Sequence, residues 1–475
     1  MPDPSYAQTA LRSEAQSQLE MQAGKKNIVI CCDGTGNEFG DTNSNVVKIY
    51  TALEIDNQQV GYYHPGVGTM GDPAERHRML RRWSQVKGLA FASGFKDNVL
   101  DAYRYLMSVC NDGDRVYLFG FSRGAYTVRA LAGLLNGYGL LCLGNEGHLP
   151  YAWRMYVNEH KKRGLRQIEA DDDDAAAFKE TFSRKGFEIH FVGIWDTVSS
   201  VGWIYTPMRL FNVSQNRTIC CGRHAISIDE RRCFYEDNLW GPPLQGQNIE
   251  QVWFAGAHSD VGGSYKRLES GLSLITLKWM MEEAQAAGLR LVKDRVNLVL
   301  GEPSGCYPHA QRLYKPPNNE IEHHSLKGVW WLLELLPHIY YDKGRNKELY
   351  RIPLGVPRQL PKGALVHPSV VDRMDDAKAT YNPRNVQRGD LKPCSMKPSL
   401  FEYSPAKVEM SNTPMRLLTL ILFIFVGIIV ALVALVIAIH LVPIACRALM
   451  WLEQMFLAGF LKFDGWITEG LRRLL

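Results

Sequence analysis

Short apolar runs alternate with longer segments of helical periodicity through most of this chain. The runs at residues 27–32, 116–119, 188–195 and 249–257 have the length of buried strands, and each is followed by a loop rich in turn residues. Residues 95–109 instead carry apolar side chains at i, i+4, i+7 and i+8, which is the spacing of one buried helical face. Strands that alternate with helices predict an α/β fold with a mostly parallel sheet and surface insertions.

One apolar run, near the C-terminus, is of a different kind. Residues 417–439 carry no charged side chain and are apolar on every face. A bilayer span needs roughly 20 such residues, so we predict a transmembrane helix within residues 416–442 rather than a buried core helix. The tail at 447–475 mixes tryptophan and phenylalanine with basic residues, which predicts an amphipathic helix in the membrane interface.

These patterns divide the rest of the chain into three parts. Residues 1–26 are predicted to be a disordered lead-in, residues 27–300 the α/β domain, and residues 301–412 an accessory region, lid or linker. The lead-in has no apolar core of the length that a signal peptide needs. We therefore expect a protein with a single pass near its C-terminus and a cytoplasmic α/β domain.

Composition narrows the classes of function. Hydrophobic residues make up 46% and charged residues 22%, which is enough for a well-filled core. A net charge of +5 over 475 residues gives no reason to expect a nucleic acid partner. The ten cysteines form no C-x-x-C pair and are expected to be free thiols. The acidic run at 171–174 and the pair His323-His324 are interpreted as surface features, so we expect no metal and no cofactor.

The most informative motif is Gly-Phe-Ser-Arg-Gly at residues 120–124, between a strand-like run and a helix-like segment. Glycines flank the serine because the turn is too tight for side chains there. Such an elbow raises the hydroxyl of Ser122 above the sheet edge and aims a helix N-terminus at it. This arrangement is typical of a serine nucleophile for acyl transfer.

Three predicted strands end in a reactive residue, namely Ser122, Asp196 or His258. A serine needs a base to take its proton, and the base needs a carboxylate to orient it. Functional side chains collect at the carboxyl edge of a parallel sheet, and the order Ser, Asp, His is that of α/β-hydrolases. We predict these three residues as a catalytic triad on an α/β-hydrolase-like sheet. His64 and His224 compete for the base, the second in a segment that looks helical or turn-like, but a glycine-rich loop after His258 can bend over the elbow.

Other residues near these strand ends have supporting roles in the prediction. Asp260 is the alternative acid, although we favour it as an acceptor that stabilises its loop. An oxyanion hole needs two backbone N–H donors, which we assign to Arg123 and to the loop at Gly34 and Thr35. Asp33 could order that loop, bind a metal or mark a phosphotransferase. An aspartyl phosphatase would want a second acid at position 35, which is a threonine.

Five motifs in this order resemble the catalytic domain of the type VI secretion phospholipase-effector family (Tle type), an α/β-hydrolase family formerly known as a domain of unknown function. The motifs are CDGTGN at residues 32–37, GVGT at 66–69, GFSRGA at 120–125, WDTV at 195–198 and AHSDVGG at 257–263. The resemblance covers about residues 25–290. It implies a Ser-Asp-His esterase that acts on acyl esters of phospholipids, with Ser122, Asp196 and His258 as its triad. Unlike the secreted effectors, this chain carries a predicted membrane span of its own.

The sequence therefore predicts a membrane-anchored serine hydrolase that cleaves acyl esters, with phospholipids as the expected substrates. Its expected partners are the lipid bilayer and the ester substrate, and protein partners are left open. The alternative hypothesis is a non-catalytic, membrane-anchored module in which the hydrolase fold serves for binding or assembly.

Overall fold

The computed structural model describes residues 25–34, 40, 42–66, 88–163, 173–198, 202–203, 206–207, 215–266, 269–301, 323–335, 338–342, 347–376, 381–387, 389 and 391–397. All of them belong to one compact unit, Met1–Val408. Within these residues, no helix is both long and apolar enough to cross a bilayer. The predicted span at 416–442 and the predicted interfacial tail at 447–475 lie outside the described residues, as does most of the predicted lead-in.

Twelve strands are formed by the part of the chain that the structure describes. They are β1 (Asn27–Cys32), β2 (Gln59–His64), β3 (Arg115–Phe121), β4 (Ile189–Trp195), β5 (Gly202–Trp203), β6 (Thr206–Pro207), β7 (Ile219–Ser227), β8 (Asn248–Phe254), β9 (His338–Asp342), β10 (Lys347–Arg351), β11 (Leu365–Val366) and β12 (Lys392–Pro393). Eight of these strands form one sheet in the order β12-β11-β8-β7-β4-β3-β1-β2, and every neighbouring pair in it is parallel. Two antiparallel pairs, β5-β6 and β9-β10, are separate.

Helices cover both faces of this sheet. They are α1 (Asn45–Ala52), α2 (Gly88–Val109), α3 (Arg123–Tyr138), α4 (Leu149–Arg163), α5 (Asp173–Phe182), α6 (His258–Gly262), α7 (Gly271–Ala286), α8 (Lys293–Leu300), α9 (Val329–Glu334) and α10 (Pro368–Asp375). Side chains on a strand alternate between the two faces, so Ile28 and Ile30 pack with α2 to α5, while Val29 and Cys31 pack with α1, α7 and α8. The mostly parallel α/β sheet of the prediction is confirmed, and it fits an α/β-hydrolase-like fold.

The sheet continues beyond residue 300. Strands β11 and β12, from the predicted accessory region, extend it past β8. A third core cluster packs there, in which Trp253 of β8 meets Val366 of β11 and Val370 of α10. Residues from this region therefore share the core of the α/β domain.

One predicted element is wrong. His224 lies in the middle of β7, between β4 and β8, and not in a helix or turn. The charged residues that follow it gave the segment a helical or turn-like appearance. In the fold, β7 is buried by its two parallel neighbours, and its residues from Gly222 to Ser227 are all buried.

The strand order determines which loops meet. Strands β3, β4, β7 and β8 are adjacent, and because they are parallel their carboxyl ends lie at one edge. The ladder continues beyond the strands, since Ser122 N donates to Trp195 O at 3.1 Å and Asp196 N donates to Ala225 O at 2.7 Å. The residues that follow β3 and β4 are thus held by backbone hydrogen bonds at the start of their loops.

Helix α3 contains two glycines that allow a direct test of this packing. A Cβ on Gly124 would lie 2.1 Å from the carbonyl oxygen of Cys32, whereas a Cβ on Gly137 would meet nothing within 4 Å. Gly124→Ala is expected to cost about 1–3 kcal/mol, because β1 and α3 would have to separate. Gly137→Ala in the same helix is expected to leave stability unchanged or to raise it by up to about 1 kcal/mol. Thermal unfolding of the full chain measures both, and equal melting temperatures for the two variants would contradict the close approach of β1 and α3.

Candidate active site

Ser122 lies at the apex of a tight turn between β3 and α3. Its φ of 58° and ψ of −121° are a conformation that residues other than glycine rarely adopt. A Cβ on Gly120 would lie 2.6 Å from the carbonyl oxygen of Gly124, so the turn has no room for a side chain there. The tight turn therefore places Ser122 directly before the first residue of α3, at the N-terminus of that helix.

The three residues predicted from strand ends are in contact. His258 Nε2 lies 2.8 Å from the hydroxyl oxygen of Ser122, and His258 Nδ1 lies 2.6 Å from Asp196 Oδ2. All three are buried, with Ser122 8%, His258 4% and Asp196 1% exposed. The fold thus forms an unbroken hydrogen-bonded chain from hydroxyl through imidazole to carboxylate.

His258 is held at the N-terminus of the short helix α6. The carboxylate of Asp260 accepts a hydrogen bond from Ala257 N at 2.9 Å and so caps this helix. The imidazole of His258 packs against two rings, Phe121 and Tyr235, each with its centroid 4.7 Å away. These contacts restrict the orientation of the imidazole in addition to its two hydrogen bonds.

Asp196 receives hydrogen bonds on both of its oxygens. Ser227 N donates to Oδ1 at 2.9 Å. The guanidinium of Arg358 donates to Oδ1 at 2.6 Å and to Oδ2 at 3.1 Å, in a two-pronged ion pair. Burial alone would raise the pKa of Asp196, but Arg358 and then His258 outweigh it and hold that pKa well below its usual range. Asp196 is therefore ionised at neutral pH.

Burial has the opposite effect on the base. It lowers the pKa of His258 below its ordinary value of 6.5, and the hydrogen bond and charge of Asp196 only partly oppose that shift. His258 is therefore neutral at pH 7, with one nitrogen able to accept a proton. That is the protonation state that a general base requires.

A second buried ion pair lies beside His258. The carboxylate of Glu230 accepts the backbone N–H of His258 at 3.2 Å and pairs with the guanidinium of Arg232 at 2.7 Å. Burial alone would raise the pKa of Glu230, yet Arg232 brings it down to about 2. Arg232 also lies 3.7 Å above the centre of the Tyr235 ring. This pair secures the loop after β7 against the start of α6.

The predicted oxyanion loop is described in part. Gly34 N donates to Asp33 Oδ1 at 2.6 Å, so this predicted oxyanion donor is already engaged in a hydrogen bond to the carboxylate. The other oxygen of Asp33 accepts hydrogen bonds from Ser44 at 2.5 Å and from Tyr63 at 3.0 Å. Of the three roles open to Asp33 from sequence, these contacts favour the ordering of the loop. Thr35 lies outside the described residues.

The remaining candidates are separate from the hydrogen-bonded chain. Asp260 binds Ala257 N and the ring nitrogen of His323, at 2.9 Å and 2.6 Å. These contacts favour the interpretation of Asp260 as an acceptor that stabilises its loop. His64 ends β2, and β1 lies between β2 and β3. His224 accepts a hydrogen bond from Thr197 N at 3.2 Å, and burial lowers its pKa to about 3.

Sequence reasoning missed several residues of the site. Arg358 and Glu230 are buried charged residues in polar, irregular segments, where charges usually face solvent. Nothing periodic marks them, and the partner of Arg358 is far away in sequence. Among the described residues, no group of three His, Cys, Asp or Glu side chains is arranged to hold a metal ion.

A serine elbow with a histidine and a carboxylate, at the carboxyl edge of a parallel sheet, defines the class of α/β-hydrolase-like proteins. Residues 26–283 match the family described as "T6SS, Phospholipase effector Tle1-like, catalytic domain". The chain belongs to this family, which confirms the resemblance seen in the five motifs.

Similar proteins include "Uncharacterized protein YEL023C" of Saccharomyces cerevisiae, with 37% identity over 226 residues. The match covers 46% of this chain but only 33% of the yeast protein. Two solved structures are also similar. An uncharacterized protein from Pseudomonas aeruginosa has 18% identity and a TM-score of 0.34, over 66% of this chain and 53% of its own. A Tle1 effector bound to the VgrG spike of the type 6 secretion system has 17% identity and a TM-score of 0.28, over 52% of each chain.

Proposed function

We propose that this protein is a membrane-anchored serine hydrolase that cleaves acyl esters of phospholipids. The observation that carries the proposal is the hydrogen-bonded chain from Ser122 through His258 to Asp196, on an elbow at the carboxyl edge of the sheet. Membership of a family named for phospholipase effectors supports a lipase-like hydrolase.

The proposed reaction begins with the hydroxyl of Ser122. Its oxygen attacks the ester carbonyl carbon while the proton moves to His258 Nε2, and Asp196 stabilises the imidazolium that forms. The negative charge that develops on the carbonyl oxygen is stabilised by backbone N–H donors. Arg123 N, the first amide of α3, is the proposed donor beside the nucleophile, where the positive end of the helix dipole adds to the effect.

Collapse of the tetrahedral intermediate completes the first half of the reaction. The bond to the leaving oxygen breaks, and His258 returns its proton to that oxygen, which leaves as an alcohol. The acyl group stays on Ser122 as an ester. Water then repeats the same steps, with His258 as the base, to release a fatty acid and restore the serine.

Exposed apolar side chains beside the site support a lipid as the substrate. Trp330 of α9 packs on the ring of Tyr235 with 5.6 Å between centroids, and Tyr235 in turn packs on His258. The neighbouring Trp331 and Leu332 are 43% and 61% exposed. Exposed apolar side chains on a helix that contacts the ring beside His258 suit a substrate whose acyl chain comes from a bilayer surface.

The anchor completes the proposal. Residues 416–442 would hold the α/β domain at the membrane, with this domain on the cytoplasmic side, and residues 447–475 would lie in the interface. Tethering of this kind raises the effective concentration of a bilayer substrate at the active site.

Covalent labelling by a fluorophosphonate tests the activated serine directly. The wild-type chain is expected to be labelled at pH 7, and Ser122→Ala is expected to abolish labelling, since the probe then lacks its nucleophile. His258→Ala is expected to slow labelling and ester hydrolysis by roughly 10⁴-fold or more, because no base takes the proton.

The matched control is Ser108→Ala, which removes an exposed hydroxyl from α2. It is expected to leave labelling unchanged. If a folded wild-type chain is not labelled, and hydrolyses neither short-chain esters nor phospholipids, the hypothesis of a non-catalytic binding or assembly module is correct instead.

The variant Leu332→Asp tests whether this side chain contacts lipid without affecting the chemical reaction. The charge is expected to reduce hydrolysis of phospholipid in vesicles at least several-fold, because it must be desolvated at the lipid surface. Hydrolysis of a soluble short-chain ester is expected to stay the same. Leu143→Asp is the matched control, since Leu143 is 68% exposed but follows the end of α3 that points away from Ser122. Equal loss on vesicles and on the soluble ester would argue against lipid contact at Leu332.

Alkaline extraction tests the anchor. The full chain is expected to remain in the membrane pellet, because high pH does not disrupt the apolar contacts of residues 417–439 with lipid. Replacing Ile429 and Leu432 by arginine is expected to release the protein, because each charge at a span centre costs about 2.5–3.5 kcal/mol. A wild-type chain that is extracted into the supernatant would show that it is not an integral membrane protein.

A further inference from the structure

Arg358 is almost completely buried and its guanidinium points at the triad carboxylate. Its side chain is 5% exposed, and its two terminal nitrogens bond both oxygens of Asp196. The same nitrogens donate to the hydroxyl oxygen of Ser227 at 2.7 Å and to the carbonyl oxygen of Tyr235. A guanidinium has a rigid planar fork, so contacts in several directions fix its position and, through it, the rotation of the carboxylate.

The contact joins two distant parts of the chain. Asp196 lies within the matched domain at residues 26–283, and Arg358 lies well beyond it. The backbone at Arg358 is itself secured, because Asn385 Nδ2 donates both to Arg358 O and to Ile228 O, at 2.9 Å each. The segment that brings the guanidinium therefore packs on the loop after β7, beside the triad.

The four charged groups that bond to His258 or to its carboxylate partners cancel while its imidazole is neutral, and Asp237 adds a further negative charge near Arg358. Asp196 and Glu230 each carry a negative charge, and Arg358 and Arg232 each carry a positive one. His224 adds none at neutral pH, because burial lowers its pKa to about 3. Arg358 thus pairs with a carboxylate whose negative charge favours the imidazolium form of His258.

We propose that Arg358 is a positioning residue of this site, which fixes the Asp196 carboxylate against His258 Nδ1 and opposes protonation of the imidazole before Ser122 reacts. The segment after residue 300 is then a required part of the active site rather than a lid or linker. The inference rests on the proposed hydrolase function and names a further residue for the same reaction.

The direction of the pH effect follows from these charges. A cation beside Asp196 disfavours a second cation on His258, so removal of Arg358 raises the pKa of His258. The base is then protonated, and inactive, at a higher pH than in the wild type. The acid limb of the pH profile moves upward, and the loss of rate is larger at pH 6 than at pH 8.

Two substitutions separate charge from geometry. Arg358→Met is expected to slow fluorophosphonate labelling at pH 7 by about 10- to 100-fold, through loss of carboxylate alignment, and to shift the acid limb upward. Arg358→Lys keeps the charge but loses the fork. It is expected to leave the acid limb near its wild-type position and to give an intermediate rate.

Arg223→Met is the control for a purely structural effect. Arg223 is equally buried, lies on β7 and pairs with Glu283 at 2.6 Å, away from the triad. This variant is expected to lower the melting temperature without moving the acid limb. If Arg358→Met behaves in the same way, with a lower melting temperature and an unshifted acid limb, Arg358 is a structural residue and the proposal is wrong.

A readout that does not depend on activity distinguishes this failure from failure of the hydrolase proposal. The proton between His258 Nδ1 and Asp196 should give a far-downfield resonance, which is assigned by its loss in His258→Ala. The resonance is expected to weaken or shift in Arg358→Met and to change less in Arg358→Lys, whether or not Ser122 is labelled. A resonance that is identical in wild type and Arg358→Met would overturn the positioning role.

Discussion

A carboxylate that is almost fully buried must be compensated by its neighbours, and this requirement organises the candidate site. Asp196 receives a backbone N–H from Ser227, an imidazole from His258 and a guanidinium from Arg358. The three donors come from β7, from α6 and from a segment beyond the matched domain. Loss of one partner would leave a poorly compensated charge in a medium of low dielectric constant, at a cost of roughly 3–5 kcal/mol. The buried charge therefore ties the strand ends, a short helix and a distant loop into one arrangement.

Backbone strain accompanies this arrangement. Ser122 and Asp196 both have positive φ values, of 58° and 37°, although neither is a glycine. Each such residue costs on the order of 1–3 kcal/mol, which the surrounding contacts must offset. The ladder bonds to Trp195 and Ala225 do so at the two strand ends, and the close approach of Gly124 to β1 leaves α3 no freedom to relax. The strained turn at Ser122 is thus stabilised by the packing of α3 on β1 and by backbone hydrogen bonds to the neighbouring strand.

Charged groups and apolar side chains have different roles in the proposed reaction. Burial keeps the imidazole of His258 neutral at pH 7, and the opposite charges of Glu230 and Arg232 beside it are paired with each other. The aromatic contacts from Tyr235 to Trp330 lead outward from it to an exposed apolar patch. A polar reaction centre near exposed apolar side chains fits the proposed hydrolysis of an ester in a lipid layer.

Local patterns in the sequence determined the alternation of strands and helices, the elbow, and the three residues at strand ends. Each of these features is specified by a few consecutive residues. These patterns also determined the family, through motifs of four to seven residues. The tertiary structure alone decided that β7 is a strand between β4 and β8, that β11 and β12 extend the sheet, and that Arg358 reaches Asp196 across 162 positions of sequence. A buried arginine in an irregular loop has no periodicity, and its role comes only from the partner that the fold brings to it. The sequence specifies which groups can react, whereas the packing of distant segments specifies how their charges are balanced.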